Sequence, residues 1–176
     1  FDAKDVATFA EVEQALLPLV ERFFGVAAGQ QAAGAAFYRS ELQLLTAVPM
    51  SDDQIWHSDN RSRGLTLLVP LVDFHEDNGP TQILPGSHIH SPSTLLTGAH
   101  VAVMPRGSAV AYDARAYHRG LGNKTAIGRP ALVFRYDAHE TPPPGVGPVG
   151  TVAHTTLARV LHAASGLLIA LGIGGR

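Results

Sequence analysis

Short apolar runs separated by turn residues recur through residues 36–137, and their spacing restricts the fold more than any other feature of the chain. Asp77-Asn78-Gly79-Pro80 and Pro105-Arg106-Gly107 are turn sequences between such runs. Short strands at roughly ten-residue spacing are typical of an all-β sandwich or barrel. The predicted strands cover residues 36–48, 65–72, 81–84, 100–104, 108–112, 117–121 and 129–136.

Helices are predicted on either side of this β region. Residues 4–24 carry an apolar stripe at three- and four-residue spacing, formed by Phe9, Val12, Leu16, Leu19, Val20 and Phe23. Pro18 predicts a kink or the start of a new helix, and Gly25 an end. A second helix, capped by Thr155 or Thr156, is expected to pack on the sheet, because its apolar end is too short to span a bilayer.

Length and composition predict one globular domain with three parts. These are an N-terminal helical segment (1–35), a β core (36–137), and a Pro/Gly-rich linker with a C-terminal helix (138–176). The net charge of −2 and the scarcity of lysine give no basic face for nucleic acid. The absence of cysteine excludes disulfides and thiolate metal sites. The chain begins at Phe1 without a visible signal peptide, so we expect part of a longer protein in the cytoplasm or an organelle lumen.

The stretch Trp56-His57-Ser58-Asp59 carries half of a metal site. On an extended chain, His57 and Asp59 point to the same side because strand side chains alternate faces. Two histidines and one carboxylate can bind Fe(II) on one side and leave the other coordination positions open. The second histidine must come from elsewhere among the nine in the chain.

Two further blocks give these residues a family resemblance. Asp77-Asn78-Gly79-Pro80-Thr81-Gln82-Ile83-Leu84-Pro85-Gly86-Ser87-His88 is the more specific of them. The other runs from Pro105 to Asp113 and is followed by His118, Asn123 and Arg129. With the His57/Asp59 stretch, they resemble the phytanoyl-CoA dioxygenase family of Fe(II)/2-oxoglutarate oxygenases over residues 36–137. The resemblance implies a mainly β double-stranded β-helix (jelly roll, cupin-like) with flanking helices.

The same resemblance assigns roles to individual residues. It makes His57, Asp59 and His118 the iron ligands and Arg129 the partner of the far carboxylate of the cosubstrate 2-oxoglutarate. A planar guanidinium suits that carboxylate because it donates two parallel hydrogen bonds. The chain departs from the family at Gly120, where a hydroxyl residue often helps to bind the carboxylate. It also departs in having less chain before the iron motif.

Several positions have competing interpretations. Arg135 shares the strand face of Arg129 and competes for its role. Gln43 and Thr66 are candidates for lining the cosubstrate site, with ordinary sheet positions as the alternative. Trp56 is expected in the core, and His88 is expected to organise its loop. Arg61 and Arg63 are either solvated or near the mouth of the site, where they would meet an anionic substrate.

The predicted function is a hydroxylase or other dioxygenase that uses Fe(II), oxygen and 2-oxoglutarate to oxidise a small organic substrate, with succinate and CO2 as coproducts. One alternative is a catalytically silent family member that acts as a binding or structural subunit. A zinc hydrolase with the same ligands is a third, but it lacks an evident general base. No nucleic acid partner is expected, and a membrane partner is not favoured.

Overall fold

The computed structural model describes residues 3–26, 36–90 and 98–145. Within these ranges lie one α-helix, α1 (Ala3–Phe24), and a 3-10 turn (Glu76–Asn78). The strands are β1 (Tyr38–Ala47), β2 (Gly64–Pro70), β3 (Thr81–Ile83), β4 (His100–Val101), β5 (Val110–Asp113), β6 (His118–Gly120) and β7 (Arg129–Asp137). The predicted C-terminal helix lies outside the described residues.

The strands form two antiparallel sheets, in the orders β1-β7-β2-β5 and β4-β3-β6. The mainly β architecture is therefore as predicted, and the strand bounds agree within a few residues. The predicted strand 100–104 is shorter than expected, since β4 ends at Val101. β4 and β5 also lie in different sheets, so the turn at 105–107 carries the chain from one sheet to the other.

Helix α1 covers the outer face of the four-stranded sheet. It runs as one helix through Pro18, so of the two alternatives predicted there, the start of a new helix is wrong. Val20 is fully buried, and Phe9, Val12, Leu16 and other apolar residues of α1 pack against the same cluster. Leu19 was assigned to the apolar stripe but is 44% exposed, and Leu17 packs on the sheet instead. Within the described residues, no helix is long and apolar enough to cross a membrane.

The central strands β2 and β7 are buried on both faces. Leu65, Leu67 and Val69 of β2 belong with Leu132 and Phe134 to the cluster under α1. The intervening residues point to the opposite face, because side chains alternate along a strand. There Leu68, Ala131 and Val133 form a second cluster with Phe74. The inner face of this sheet is thus apolar along much of its length, and the polar residues on it stand out.

The two turn blocks at 77–80 and 85–88 hold the short strand β6 in place. Gly79 has a positive φ of 73° and lies directly against the carbonyl of Leu121, where a Cβ atom would clash. Ser87 accepts a hydrogen bond from the Tyr117 amide at 2.8 Å and donates to the Leu84 carbonyl at 2.6 Å. Ser87 therefore organises this loop, a role that was predicted from the sequence for His88.

Phe134 offers a test of the core under α1, because its side chain is fully buried. Phe134→Ala should reduce the free energy of unfolding by about 3–5 kcal/mol through lost burial and the cavity left behind. Ile127→Ala is the control, since Ile127 is 75% exposed and its loss should cost less than about 0.5 kcal/mol. Urea denaturation measures both, and equal effects would contradict this description of the core.

Candidate metal centre

Three side chains from two distant segments converge beside Thr66 of β2. Their ligand atoms, contributed by His57, Asp59 and His118, all lie within 4.8 Å of one another. The backbones of His57 and His118 exchange two hydrogen bonds, at 3.0 and 2.8 Å. The Asp59 amide donates to the Ala114 carbonyl at 2.9 Å. The residues predicted to ligate a metal are thus brought together by backbone pairing.

Each imidazole has one nitrogen occupied and the other free to face a metal. Nδ1 of His57 lies 2.9 Å from the Ile55 carbonyl, and Nδ1 of His118 lies 3.0 Å from the Ala116 carbonyl. Because a carbonyl only accepts, Nδ1 carries a proton in each ring, so Nε2 is the nitrogen that the neutral imidazole would offer to a metal. Burial lowers the pKa of His118, although the nearby Asp59 carboxylate opposes this effect. Burial thus favours the neutral imidazole that metal binding needs.

The carboxylate of Asp59 is held by neighbouring polar groups. Thr66 Oγ1 donates to Asp59 Oδ2 at 2.5 Å, and Asp59 Oδ1 lies 3.5 Å from His118 Nε2. Burial, with the adjacent Asp59 charge, raises the pKa of the Tyr112 phenol well above its ordinary value. Two imidazoles and one oriented carboxylate are a donor set that suits Fe(II) and leaves coordination positions open.

The three side chains line a cavity of about 310 Å³. Its wall combines residues of β1, β2 and β7 with the loop before His57, and it includes both Gln43 and Thr66 as predicted for the cosubstrate site. The side chain of Thr66 is buried and that of Gln43 is exposed. Their roles towards a cosubstrate stay predictions. A volume of this size is at the low end of the range for small-ligand pockets.

Arg129 brings an uncompensated cation to this cavity. The residue is only 3% exposed, and its guanidinium stacks over the ring of Phe74, with the carbon 4.3 Å from the ring centroid. Its Nε and Nη1 atoms have no hydrogen-bond partner among the described residues. Burial lowers the pKa of this guanidinium. Unpaired buried donors are costly, so their presence beside a cavity indicates an anionic ligand.

Arg135, the competitor of Arg129, lines the same cavity but already has anionic partners. Its Nη1 lies 2.8 Å from Glu41 and its Nε lies 3.3 Å from Asp137. The two arginines share a face, as their spacing predicted, and differ in what surrounds them. This difference favours Arg129 as the anion-binding residue.

Gly120 also lines the cavity, and the space beside it is taken by Gln54. The Gly120 amide donates to Gln54 Oε1 at 2.8 Å, and a Cβ atom on Gly120 would lie 3.0 Å from that oxygen. The carboxamide of Gln54 therefore occupies the space that a hydroxyl side chain at position 120 would need.

The remaining candidates lie away from the cavity. Trp56 is 2% exposed with the Arg119 guanidinium 5.0 Å from its ring centroid, which confirms the core position. Arg63 packs over Phe23 and Phe24 of α1, and neither it nor Arg61 lines the cavity. The described residues therefore do not support the interpretation that Arg61 and Arg63 lie at the mouth of the site and meet an anionic substrate.

Glu41, Gln54 and Tyr112 are among the cavity residues that sequence reasoning missed. The alternation that selected Gln43 on β1 also places Glu41 on the same face, so that signal was present. Tyr112 is on the strand paired with β2, opposite Thr66, and required the register to be known. Gln54 lies in irregular chain, for which no periodicity exists.

Comparisons with known proteins agree with this geometry. The family model described as phytanoyl-CoA dioxygenase (PhyH) matches residues 45–131. The dioxygenase cdmD of Talaromyces verruculosus is 36% identical over 85 residues, which are 44% of this chain and 27% of that protein. The chain thus aligns with only about a quarter of the length of this curated relative.

Solved structures share the fold at low sequence identity. SnoN, a non-heme alpha-ketoglutarate-dependent epimerase from nogalamycin biosynthesis, has a TM-score of 0.63 at 18% identity, covering 85% of this chain and 62% of its own. AviO1 from Streptomyces viridochromogenes Tue57 has a TM-score of 0.59 at 21% identity, covering 73% and 59%. EctD from S. alaskensis, crystallised with 2-oxoglutarate and 5-hydroxyectoine, has a TM-score of 0.53 at 19% identity, covering 78% and 69%.

These likenesses confirm the predicted jelly roll, and the family match coincides with the segment that carries both turn blocks and the three clustered side chains. Over residues 45–131, just under half of its length, the chain is similar to the phytanoyl-CoA dioxygenase family.

Proposed function

We propose that this chain forms the catalytic core of an Fe(II)- and 2-oxoglutarate-dependent dioxygenase that hydroxylates or otherwise oxidises a C–H bond of a small organic molecule. One observation carries the proposal: a three-donor face and a buried guanidinium without an anionic partner open into the same cavity. The family match and the 2-oxoglutarate in the related EctD structure support it.

Different residues would bind the iron and the 2-oxoglutarate. His57, Asp59 and His118 would hold Fe(II), and Thr66 would fix the orientation of the Asp59 carboxylate. Arg129 would pair with the far carboxylate of 2-oxoglutarate through donors that are otherwise unsatisfied. When bound, the iron and 2-oxoglutarate supply oxygen activation, with release of succinate and CO2. The apolar wall formed by Leu45, Leu68 and Val133 would limit the access of water to the reacting groups.

A first prediction tests the metal ligands. His57→Ala, Asp59→Ala and His118→Ala should each lose Fe(II) binding in anaerobic titrations, because two donors are too few to hold the metal. Circular dichroism should show that the domain stays folded. His139→Ala is the matched control, since His139 is exposed and outside the cluster. Unchanged iron affinity in any of the three variants would remove that residue from the ligand set.

A second prediction separates the two arginines. Arg129→Gln should weaken 2-oxoglutarate binding roughly 30- to 700-fold while sparing Fe(II), because a charged bidentate pair contributes about 2–4 kcal/mol. Arg135→Gln is the comparator on the same strand face, and its effect on 2-oxoglutarate should be much smaller. Calorimetric titration of both variants decides between them. The opposite order would transfer the role to Arg135.

A third prediction distinguishes an enzyme from a silent family member. The full-length protein supplied with Fe(II), oxygen and 2-oxoglutarate should release succinate slowly even without a substrate, and Asp59→Ala should release none. Mass spectrometry of the reaction mixture measures the succinate. A protein that binds neither Fe(II) nor 2-oxoglutarate and makes no succinate would refute the proposed activity and favour a binding or structural role.

A further inference from the structure

A row of four polar side chains crosses the inner face of the four-stranded sheet. Glu41 on β1 pairs in register with Arg135 on β7, which pairs with Thr66 on β2, which pairs with Tyr112 on β5. All four line the cavity. We call these four residues the polar row. The adjacent inward-facing row is mostly apolar and consists of Gln43, Val133, Leu68 and Val110.

The polar row connects the candidate metal centre to the edge of the sheet. Thr66 donates to Asp59 at 2.5 Å, so the row contacts the metal centre there. Glu41 lies two strands away on β1, which is an edge strand. Adjacent strands are about 4.8 Å apart, so a ligand that reached from Asp59 to Glu41 would extend roughly 10 Å along the row.

The outer end of the row carries an excess of negative charge. Arg135 is shared between Glu41 and Asp137, which leaves two carboxylates for one guanidinium. Asp137 is fully buried and also accepts hydrogen bonds from Asn60 and Ser40. The side chain of Glu41 is 30% exposed and faces the cavity. The uncompensated negative charge is therefore available to a ligand at Glu41.

The two arginines of β7 consequently give the cavity two ends of opposite character. Arg129 has no anionic partner among the described residues, whereas Arg135, six residues along the strand, has two. Six residues of strand extend about 20 Å. By these contacts, the Arg129 end favours an anion and the Glu41 end favours a cation. A ligand with an anionic group at Glu41 would meet a carboxylate and be disfavoured.

We infer that the substrate carries a protonated amine, which Glu41 binds, and that it lies along the polar row towards Asp59. This inference rests on the proposed function and names its substrate class. Gln43, two residues along the same face of β1, also lines the cavity and would offer the ammonium a carbonyl acceptor. Glu41 and Thr66, which contacts Asp59, are two strand spacings or roughly 10 Å apart, so the oxidised carbon would lie several bonds away from the nitrogen.

The test compares amines with their neutral counterparts on the full-length protein loaded with Zn(II), which does no redox chemistry. Phenethylamine, cyclohexylmethylamine and hexylamine are each titrated calorimetrically beside their N-acetyl derivatives. The amines should bind about tenfold or more tightly, because only they offer Glu41 a charged donor. Glu41→Gln should abolish this preference while Arg135 keeps its contact with Asp137. Glu76→Gln, an exposed carboxylate outside the cavity, should retain it.

The inference is overturned if the N-acetyl forms bind as tightly as the amines, if no amine binds, or if Glu41→Gln keeps the preference. Titrating 2-oxoglutarate into the same samples separates this failure from failure of the proposed function. Binding of 2-oxoglutarate without an amine preference refutes only the substrate class. Loss of 2-oxoglutarate binding counts against the dioxygenase, and the amine preference is still measured with Zn(II) alone.

Discussion

The reciprocal backbone bridge between His57 and His118 is the contact on which the candidate site depends. It joins two segments that are distant in sequence, and it sets their two imidazoles with ring centroids 4.4 Å apart. The turn blocks at 77–80 and 85–88 matter because they fix the chain on either side of β6. A shift of one residue in this pairing would turn His118 to the opposite face and dismantle the donor set.

The alternation of side chains along β2 and β7 gives each strand one face in the hydrophobic core and one face towards the cavity. On β7, Arg129, Val133 and Arg135 line the cavity, whereas the alternate residues Leu132, Phe134 and Tyr136 pack in the cluster under α1. Part of the site is therefore built on a strand whose other face is buried in the core. Rigid placement of this kind is what a metal site and an anion-binding arginine require, because small displacements weaken both.

Much of the fold and the candidate site was accessible from sequence, because each depended on local pattern. The β2 run, the Asp77–Pro80 turn and the His57/Asp59 spacing all predict structure over a few residues. The features that could not be predicted from the sequence depend on which residues pair across the sheet. Arg129 and Arg135 differ through Glu41 and Asp137, which are neighbours of Arg135 only in the folded chain. Tyr112 required the β2–β5 register, and Ser87 rather than His88 fixes its loop through contacts with Leu84 and Tyr117.

The contrast between the two arginines also bears on the stability of the protein without ligands. Burying a cation without an anionic partner costs free energy, and stacking on Phe74 offsets only part of that cost. The fold holds Arg129 in this state because the sheet around it is well packed. An anion that binds Arg129 in the folded chain and not in the unfolded chain stabilises the folded state. Its binding raises the free energy of unfolding by an amount set by its concentration and affinity. Arg135 does not have this unfavourable burial energy, because the carboxylates of Glu41 and Asp137 pair with it in the folded chain.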